Sequence, residues 1–478
     1  MDWKWFLQTS GRGRESRKSS RESWASKHMG NVGGKIFRFK LALALIILLS
    51  VSVLSSQGNL APTLIPLSNQ PSGLAIFGAS LYVTTDVSSD NFFSVFESDG
   101  EGNLSPVGPE NTSTGSGAYN PMGAMVASGS TLYGTGSQGS SDADGCVFAV
   151  NTDGSDFAVL HTFEGSDGSD PQDGLILSDG ILYGTTSGGG INSVGTVFAI
   201  STDGNFTNIY SFNSGSGANP QGALVLSGNT LYGTTSTGGS NGDGTVFAVH
   251  TDGTGYTNLY TFNATRVNGD GANPQAGLFL SANTLYGTTF AGGSNNDGTI
   301  FAINTDGKEY KVLHAFNGSD GYNPQCMPVL VGDTLYGVTS NSTSHGCIFF
   351  GLNTNGLGFT NMDSGFVTGL AGGLVALPDT TGTTLLGMGA AYGSIPVVFA
   401  FTVPTIETPN LTMTITYSGN RIIVSWADTG SYTLQQNSSL DAAGGWTTSS
   451  YTVSTANGTN SVTIKPSSGN LFFRLVNP

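Results

Sequence analysis

The side chains able to do chemistry are few and scattered. The chain has five histidines, three cysteines and 32 acidic residues among 478, so the first test is whether any of them recur at a spacing that a reaction or a metal ion needs. His161 and His314 occupy equivalent places in two copies of a repeat whose other copies carry Tyr210 and Tyr260 there. Strand position, rather than acid–base catalysis, accounts for them. His250 abuts Asp252-Gly253 and His345 precedes Gly346, and neither has a neighbour at metal-ligand spacing. Calcium is the sharper expectation. Asp142-Ala-Asp144-Gly, Asn241-Gly-Asp243-Gly and Asn295-Asn-Asp297-Gly recur at one place in the repeat, and closely spaced side-chain oxygens are what a hard cation takes. Asp142, Asp144, Asp243 and Asp297 are the calcium candidates. None of these loops completes the alternating ligand series that ends in Glu, and turn formation is the plainer account of the same residues. No other cofactor is implied.

Cys146, Cys326 and Cys347 are too few for a disulfide framework. Cys326 and Cys347 fall in the same repeat copy on strands that could lie close, and export would permit a bond between them. The alternative is that they are isolated small core residues. Cys146 and Cys347 replace the same repeat Thr in copies far apart, so they are not expected to meet. No catalytic residue stands out. A carboxylate pair gathered from separate copies at the mouth of a ring stays open.

The elements that must position these residues follow from a repeat. A Leu-Tyr-Gly-type triplet is centred on Tyr82, Tyr133, Tyr183, Tyr232, Tyr286 and Tyr336, with Leu386 in the last copy, giving steps of 51, 50, 49, 54, 50 and 50 residues. A pitch near 50 points to propeller blades. The third copy reads Gly174-Leu-Ile-Leu, Ile181-Leu-Tyr-Gly-Thr-Thr, Gly195-Thr-Val-Phe-Ala-Ile and Asn208-Ile-Tyr-Ser-Phe, which is four strands by composition and length. The third strand of each copy, centred on Phe96, Phe148, Phe198, Phe247, Phe301, Phe349 and Phe399, is apolar on both faces and must be covered on both. Asp153-Gly, Asp203-Gly, Asp252-Gly, Asp306-Gly and Asn355-Gly mark the hairpin that follows it. Pro71, Pro121, Pro171, Pro220, Pro274 and Pro324 mark the passage between copies, where Pro fixes φ. The long step comes from an insertion around Arg266 in that passage.

The seventh copy lacks a fourth strand, while Thr63-Leu-Ile-Pro-Leu-Ser is a spare one ahead of the first. The expected architecture is an all-β, seven-bladed β-propeller of four-stranded repeats over residues 59–403, in which the N-terminal segment supplies the outer strand of the seventh blade. An open solenoid is the runner-up.

With Leu231-Tyr-Gly-Thr-Thr-Ser-Thr-Gly-Gly-Ser, Asp243-Gly-Thr-Val-Phe-Ala, Thr251-Asp-Gly, Phe262 and Asn273-Pro274, and near copies at Leu182 and Leu285, the chain resembles the Gloeo/Verruco, or GloVer, tandem-repeat proteins over about residues 70 to 400. The resemblance implies an exported bacterial protein whose C-terminal region varies between members, and carries no activity to particular residues. None of the five Trp lies in the repeats, which sets the chain apart from kelch and WD-type blades.

Charge is segregated. The first 40 residues hold ten of the sixteen Lys and Arg and three of the 32 Asp and Glu, leaving 6 basic against 29 acidic residues, formally −23, in the remainder. That excludes nucleic acid and anionic polysaccharide as main partners, since phosphate binding needs clustered Lys and Arg. Lys35, Arg38 and Lys40 precede an apolar run from Leu41 to Leu54, the layout of a secretory signal peptide and short for a membrane span. Residues 1–58 are thus read as an N-terminal extension with a signal peptide, an uncleaved anchor being the alternative, and Met29 is the better natural start. Residues 404–410 form a linker. In residues 411–478, alternation at Leu411, Met413, Ile415 and Tyr417, and at Ile422, Val424 and Trp426, begins six or seven short strands. These fit a small immunoglobulin or fibronectin type III-like sandwich. Trp426 and Trp446 are expected in its core, and Leu471-Phe-Phe-Arg-Leu-Val is similar to C-terminal modules of exported bacterial surface proteins.

The sequence therefore sets up a secreted or cell-surface binding or structural module, monomeric, with an extracellular neutral glycan or a protein as its partner. The competing expectation is a carbohydrate-active enzyme, a glycosidase or lyase, which clustered Asp, Glu, Tyr or His at one face would favour.

Overall fold

The computed structural model describes residues 144–264, 269–340 and 347–362 continuously, together with the strands and some turns within 63–138 and 367–476. The apolar run Leu41–Leu54, Asp142, the centre of the insertion at 265–268, His345, residues 405–410 of the linker and Trp446 lie outside the described residues. What is described is all-β, with no helix, and no helix long and apolar enough to cross a membrane.

The repeat region builds seven antiparallel sheets of four or five strands in chain order, with a two-stranded sheet of Gly271–Ala272 and Ala291–Gly292 beside them. The third is typical: Ile176–Ser178, Ile181–Thr186, Thr196–Ser201 and Phe206–Ser211 pair consecutively. In the sixth, Tyr322–Pro324 and Val329–Val331 both pair with Thr334–Ser340. The seventh is made by Val367–Pro378, Gly382–Ala391 and Ile395–Pro404, and its fourth strand is Thr63–Pro66 from the other end of the region, with Thr63 opposite Ala400 and Pro66 opposite Val397. Pro66 lies on the outermost strand, where an absent N–H costs no ladder bond.

The sheets are held face to face by cores that each join one repeat to the next. Tyr133, Val147 and Ala149 of the second sheet pack with Leu182, Phe198 and Ile200 of the third, and Tyr183 and Val197 of the third with Leu231, Phe247 and Val249 of the fourth. The same pattern carries the fourth onto the fifth, the fifth onto the sixth and the sixth onto the seventh. Leu386, Met388 and Val398 of the seventh then pack with Leu81 and Val83 of the first, and Tyr82 of the first with Leu132 and Phe148 of the second. The chain of interfaces returns to its start. This is why the third strands read apolar on both faces: Cys146–Asn151, Thr245–His250 and Thr299–Asn304 are buried at every position but the last.

The glycine of the Leu-Tyr-Gly triplet has a packing reason. A Cβ on Gly184 would stand 2.6 Å from Phe198 Cζ, and the same ring tip meets Gly134, Gly233, Gly287, Gly337 and Gly387 in their own sheets. That contact also corrects the alignment of the sixth repeat. Gly337 meets Phe350, not Phe349, and Phe350 lies opposite Gly337 as Phe198 lies opposite Gly184. The third strand there is centred one residue later than its apolar run suggests. Cys347 consequently stands in the place of Gly195, while Cys146 stands in that of Thr196, so the two cysteines are not equivalent.

Beyond the repeats, Thr414–Ser418, Arg421–Ala427, Thr459–Ile464 and Ser454–Ala456 form one sheet and Thr447–Thr448, Thr433–Asn437 and Phe472–Val476 another. Leu434 of the second sheet packs with Val424, Trp426, Val462 and Ile464 of the first. Trp426, 2% exposed, is core.

Candidate functional site

The passages between repeats are held by backbone hydrogen bonds. In four passages the N–H of the residue before the inter-repeat Pro is donated back to the loop between the second and third strands of the preceding repeat: Asp170 to Asp144 O (2.7 Å), Asn273 to Asp243 O (2.9 Å) and Asn323 to Asp297 O (2.8 Å). Asn219 makes the same bond to Val194 O at 2.9 Å. Val194 has no carboxylate, so the position contributes its carbonyl. Each donor takes a left-handed conformation, φ +57° at Asp170, +54° at Asn219, +53° at Asn273 and +51° at Asn323, which Asn and Asp tolerate best among residues with a Cβ.

Of the calcium candidates, the Asp243 carboxylate has a partner within the protein. Asp243 Oδ2 accepts the Ala264 N–H at 2.7 Å. The amides of Asn241 and Asn295 are donated to Phe262 O and Phe316 O at 2.9 and 3.1 Å, as Asn192 donates to Phe212 O at 2.8 Å. These loops clamp the end of the fourth strand. Asp144, Asp243 and Asp297 belong to different repeats, and among the described residues no three His, Cys, Asp or Glu side chains converge as metal ligands would.

Cys326 and Cys347 share one core cluster, and both are free thiols in this structure. Cys326 Sγ accepts the Val338 N–H at 3.3 Å and faces Val338 O at 3.5 Å, so it closes the second strand of its own repeat. Burial pushes the thiols of Cys326 and Cys347 up to about 11 and about 12, and that of Cys146 to about 12.

His161 and His314 lie opposite Val147 and Ile300, in the register of Tyr210 opposite Val197 and Tyr260 opposite Val246. Each imidazole Nε2 is hydrogen-bonded to a carboxylate six residues on, Asp167 at 2.8 Å and Asp320 at 2.9 Å. Those carboxylates also accept the Glu164 and Asn317 N–H groups. The rings stack on an aromatic residue of the next repeat: His161 on Phe206 at 3.8 Å, Tyr210 on Tyr256 at 3.9 Å, Tyr260 on Tyr310 at 3.6 Å and His314 on Phe359 at 4.0 Å. His250 Nδ1 is hydrogen-bonded to Thr230 Oγ1 within its own sheet.

A further recurring polar surface follows the inter-repeat prolines, and sequence reasoning passed over it. Pro171-Gln-Asp-Gly, Pro220-Gln-Gly-Ala, Pro274-Gln-Ala-Gly and Pro324-Gln-Cys-Met place one Gln and then small residues at the same point of four consecutive repeats. The small residues are needed because these segments meet backbone to backbone. A Cβ on Gly222 would stand 2.3 Å from Ala276 C, and one on Gly174 would stand 2.2 Å from Ala124 O. Threonines of the second strands tie each segment to the preceding sheet, Thr135 donating to Asp173 O at 2.9 Å, Thr234 to Ala276 O at 2.9 Å and Thr288 to Cys326 O at 3.2 Å.

On this girdle the glutamines form an arc. Gln325 Nε2 is donated to Gln275 Oε1 at 3.3 Å across 50 residues of sequence, Ser340 Oγ to Gln325 Oε1 at 3.3 Å, and Gln172 Nε2 to Asp170 Oδ1 at 2.6 Å. Gln325 is exposed and Gln172, Gln221 and Gln275 are half-buried. Asp173 is the charged member of the girdle. Its Oδ1 accepts the Gly174 N–H and its Oδ2 the Ala223 N–H of the next repeat, both at 2.7 Å. Burial raises its pKa above the ordinary carboxylate value, against the pull of those two donors. The recurring Gln could have been found by aligning the copies on their prolines.

Residues 74–269 match the model of the Gloeobacter/Verrucomicrobia repeat family. No curated protein matches the chain in sequence. Among solved structures it is similar to one described as the nidogen/laminin complex, at 13% identity over 57% of this chain and 89% of that one, with a TM-score of 0.35. A Mycobacterium tuberculosis puromycin-hydrolyzing peptidase gives 12% identity over 75% and 59% with a TM-score of 0.46, and a europium-containing methanol dehydrogenase 10% over 71% and 92% with 0.40. At those scores no activity passes from these proteins to this chain.

Proposed function

We propose that this Gloeobacter/Verrucomicrobia repeat protein is an exported, non-enzymatic binding module: a seven-bladed β-propeller followed by a small immunoglobulin or fibronectin type III-like sandwich, taking a neutral glycan through the glutamine arc. Support for the ring comes from the return of the interfaces to the first sheet and from the pairing of Thr63–Pro66 with Ile395–Pro404. The basic and apolar segment ahead of residue 59 supports export by a signal peptide. Two sheets of four and three strands around Trp426 support the sandwich.

The single observation that carries the ligand reading is the recurrence of Gln172, Gln221, Gln275 and Gln325 at one point of four consecutive repeats, with Gln325 hydrogen-bonded to Gln275 of the preceding repeat. Primary amides are uncharged and present both donors and acceptors, the set that sugar hydroxyls need. A mature chain of formal charge −23 (6 − 29) repels anionic polymers and leaves neutral ones. In the carbohydrate-active alternative a carboxylate pair does the work. Here the carboxylates of the arc, Asp170 and Asp173, are engaged by Gln172, Ser187 and backbone N–H groups, which supports binding over turnover.

A thermal melt of the mature chain against neutral oligosaccharides is the test, since a ligand selective for the folded state raises the melting temperature. Replacing Gln275 and Gln325 by Ala removes two amides, each worth about 1 kcal/mol, so affinity for a binding sugar is expected to fall roughly tenfold or more. A sugar that binds the double variant as tightly as the parent places the site elsewhere. Release of reducing ends on prolonged incubation restores the enzyme reading.

A further inference from the structure

The four aromatic pairs between repeats differ in one respect. Tyr210 and Tyr256 stack at 3.9 Å, with the single Tyr256 hydroxyl hydrogen shared between the Ser216 carbonyl and Asn258 Oδ1. His161–Phe206 and His314–Phe359 each pair one imidazole with a phenyl ring. Tyr260 and Tyr310 alone, among the described pairs, bring two phenols onto one carboxylate. Tyr260 Oη donates to Asp270 Oδ2 at 2.9 Å and Tyr310 Oη to Asp270 Oδ1 at 2.7 Å, while the rings lie 3.6 Å apart and 9° from parallel. Asp270, 6% exposed, is fixed further by the N–H groups of Asn263 and Gly271.

This geometry has a chemical consequence. Two hydroxyls converging on the two oxygens of one carboxylate hold the stacked rings with their hydroxyl ends on the same side. The phenols are neutral, because burial and the negative charge of Asp270 raise their pKa. A neutral phenol gives up an electron most readily when its proton can leave at the same time, and Asp270 is the acceptor in place at both rings.

We propose that Tyr260, Tyr310 and Asp270 form an oxidative cross-linking site, at which a diffusible one-electron oxidant converts the two phenols into an ortho–ortho dityrosine that covalently joins the fourth and fifth repeats. One phenol passes an electron to the oxidant and its proton to Asp270, leaving a neutral phenoxyl radical. Asp270 releases that proton to solvent. Loss of a second electron and proton gives the partner radical. The radicals then join carbon to carbon, and the hydrogens on the two bonded carbons return to the oxygens as the rings regain aromaticity. In total two electrons go to the oxidant, two protons go to solvent, one carbon–carbon bond forms and the chain loses two hydrogens. For an exported protein exposed to oxidants, the product is a staple across an interface otherwise held by packing and hydrogen bonds. This inference does not depend on the glycan reading.

The test is brief photo-oxidation of the folded full chain with tris(bipyridyl)ruthenium(II) and persulfate, followed by digestion and mass spectrometry of cross-linked peptides. The expected result is one dominant dityrosine, Tyr260–Tyr310, among the 16 tyrosines of the chain, lost in Tyr260→Phe and strongly reduced in Asp270→Asn. The Tyr210–Tyr256 pair is the internal control, equally stacked but without a shared carboxylate. Equal linkage of Tyr210–Tyr256, or links spread over the tyrosines at large, overturns the proposal. So does an Asp270→Asn variant that melts like the parent and cross-links as fast. If Asp270→Asn does not fold, the ratio of the two links in the unmodified protein decides.

Discussion

Replacing Gly184 by Ala tests the packing on which every repeat depends. The added Cβ would lie 2.6 Å from Phe198 Cζ, 3.0 Å from Phe198 Cε1 and 2.9 Å from Leu175 Cδ2. Carbon atoms in contact rest about 3.5 to 4.0 Å apart, so the ring tip must withdraw by about 1 Å. It has little room to do so: Phe198 is fully buried, with Phe163 at 5.2 Å and Phe206 at 5.8 Å between ring centroids. Overpacking of this kind costs about 1 to 3 kcal/mol, and the tightness here puts the cost near the top of that range. The smaller conformational entropy of Ala in a strand returns about 0.5 to 1 kcal/mol, leaving a net loss of about 2 kcal/mol. Urea unfolding of the mature chain reads this as a lower midpoint at unchanged slope. Gly228→Ala is the control, because nothing lies within 4 Å of its Cβ and only the left-handed φ of +59° is strained. Shortening the ring with Phe198→Leu in the Gly184→Ala background should recover part of the loss, a coupling of about 1 kcal/mol. A Gly184→Ala protein within about 0.5 kcal/mol of the parent, or strict additivity with Phe198→Leu, refutes the reasoning.

Three further outcomes are expected. Burial holds all three thiols far above neutrality, so a disulfide-exchange reagent at pH 8 should find no fast-reacting thiol in the folded chain and three after denaturation; a count of one after denaturation would mean that Cys326 and Cys347 are bonded. Asp173 is raised above 3.8 chiefly by burial. Its proton is therefore bound more tightly folded than unfolded, and the associated stability is full below the unfolded value and falls as pH rises through the folded one. Asp173→Gly, the residue found at Gly123 and Gly222, should thus gain in melting temperature relative to the parent between pH 4 and pH 7 (a test interval around the carboxylate range), and a pH-independent difference rejects this. Removing residues 59–69 deletes the strand that pairs with Ile395–Pro404, so the truncated chain should melt lower and expose the seventh sheet to proteolysis first; equal stability and cleavage would show that the closure contributes nothing.

The sequence by itself determined the repeat and its strands. Period, Asp-Gly hairpins and doubly apolar third strands are local properties, written wherever a strand must be covered on both faces, and Phe148, Phe198, Phe247 and Phe301 sit where that pattern puts them. It also carried the register equivalence of His161 and His314 with Tyr210 and Tyr260. Tertiary structure decided what the polar residues do. Asp243 and Asn241 read from the sequence as turn residues with calcium as the sharper alternative, and only the fold shows that they hold Ala264 N–H and Phe262 O, partners 21 residues away in each case. Whether a ring of Phe349 or of Phe350 fills the sixth sheet depended on which one a bare glycine across the sheet could receive. The Gln275–Gln325 and Asp270–Tyr310 bonds join residues 50 and 40 apart in sequence: the recurrence of the Gln is legible once the copies are aligned on their prolines, but the contacts exist because stacking one sheet on the next brings consecutive repeats within hydrogen-bonding distance.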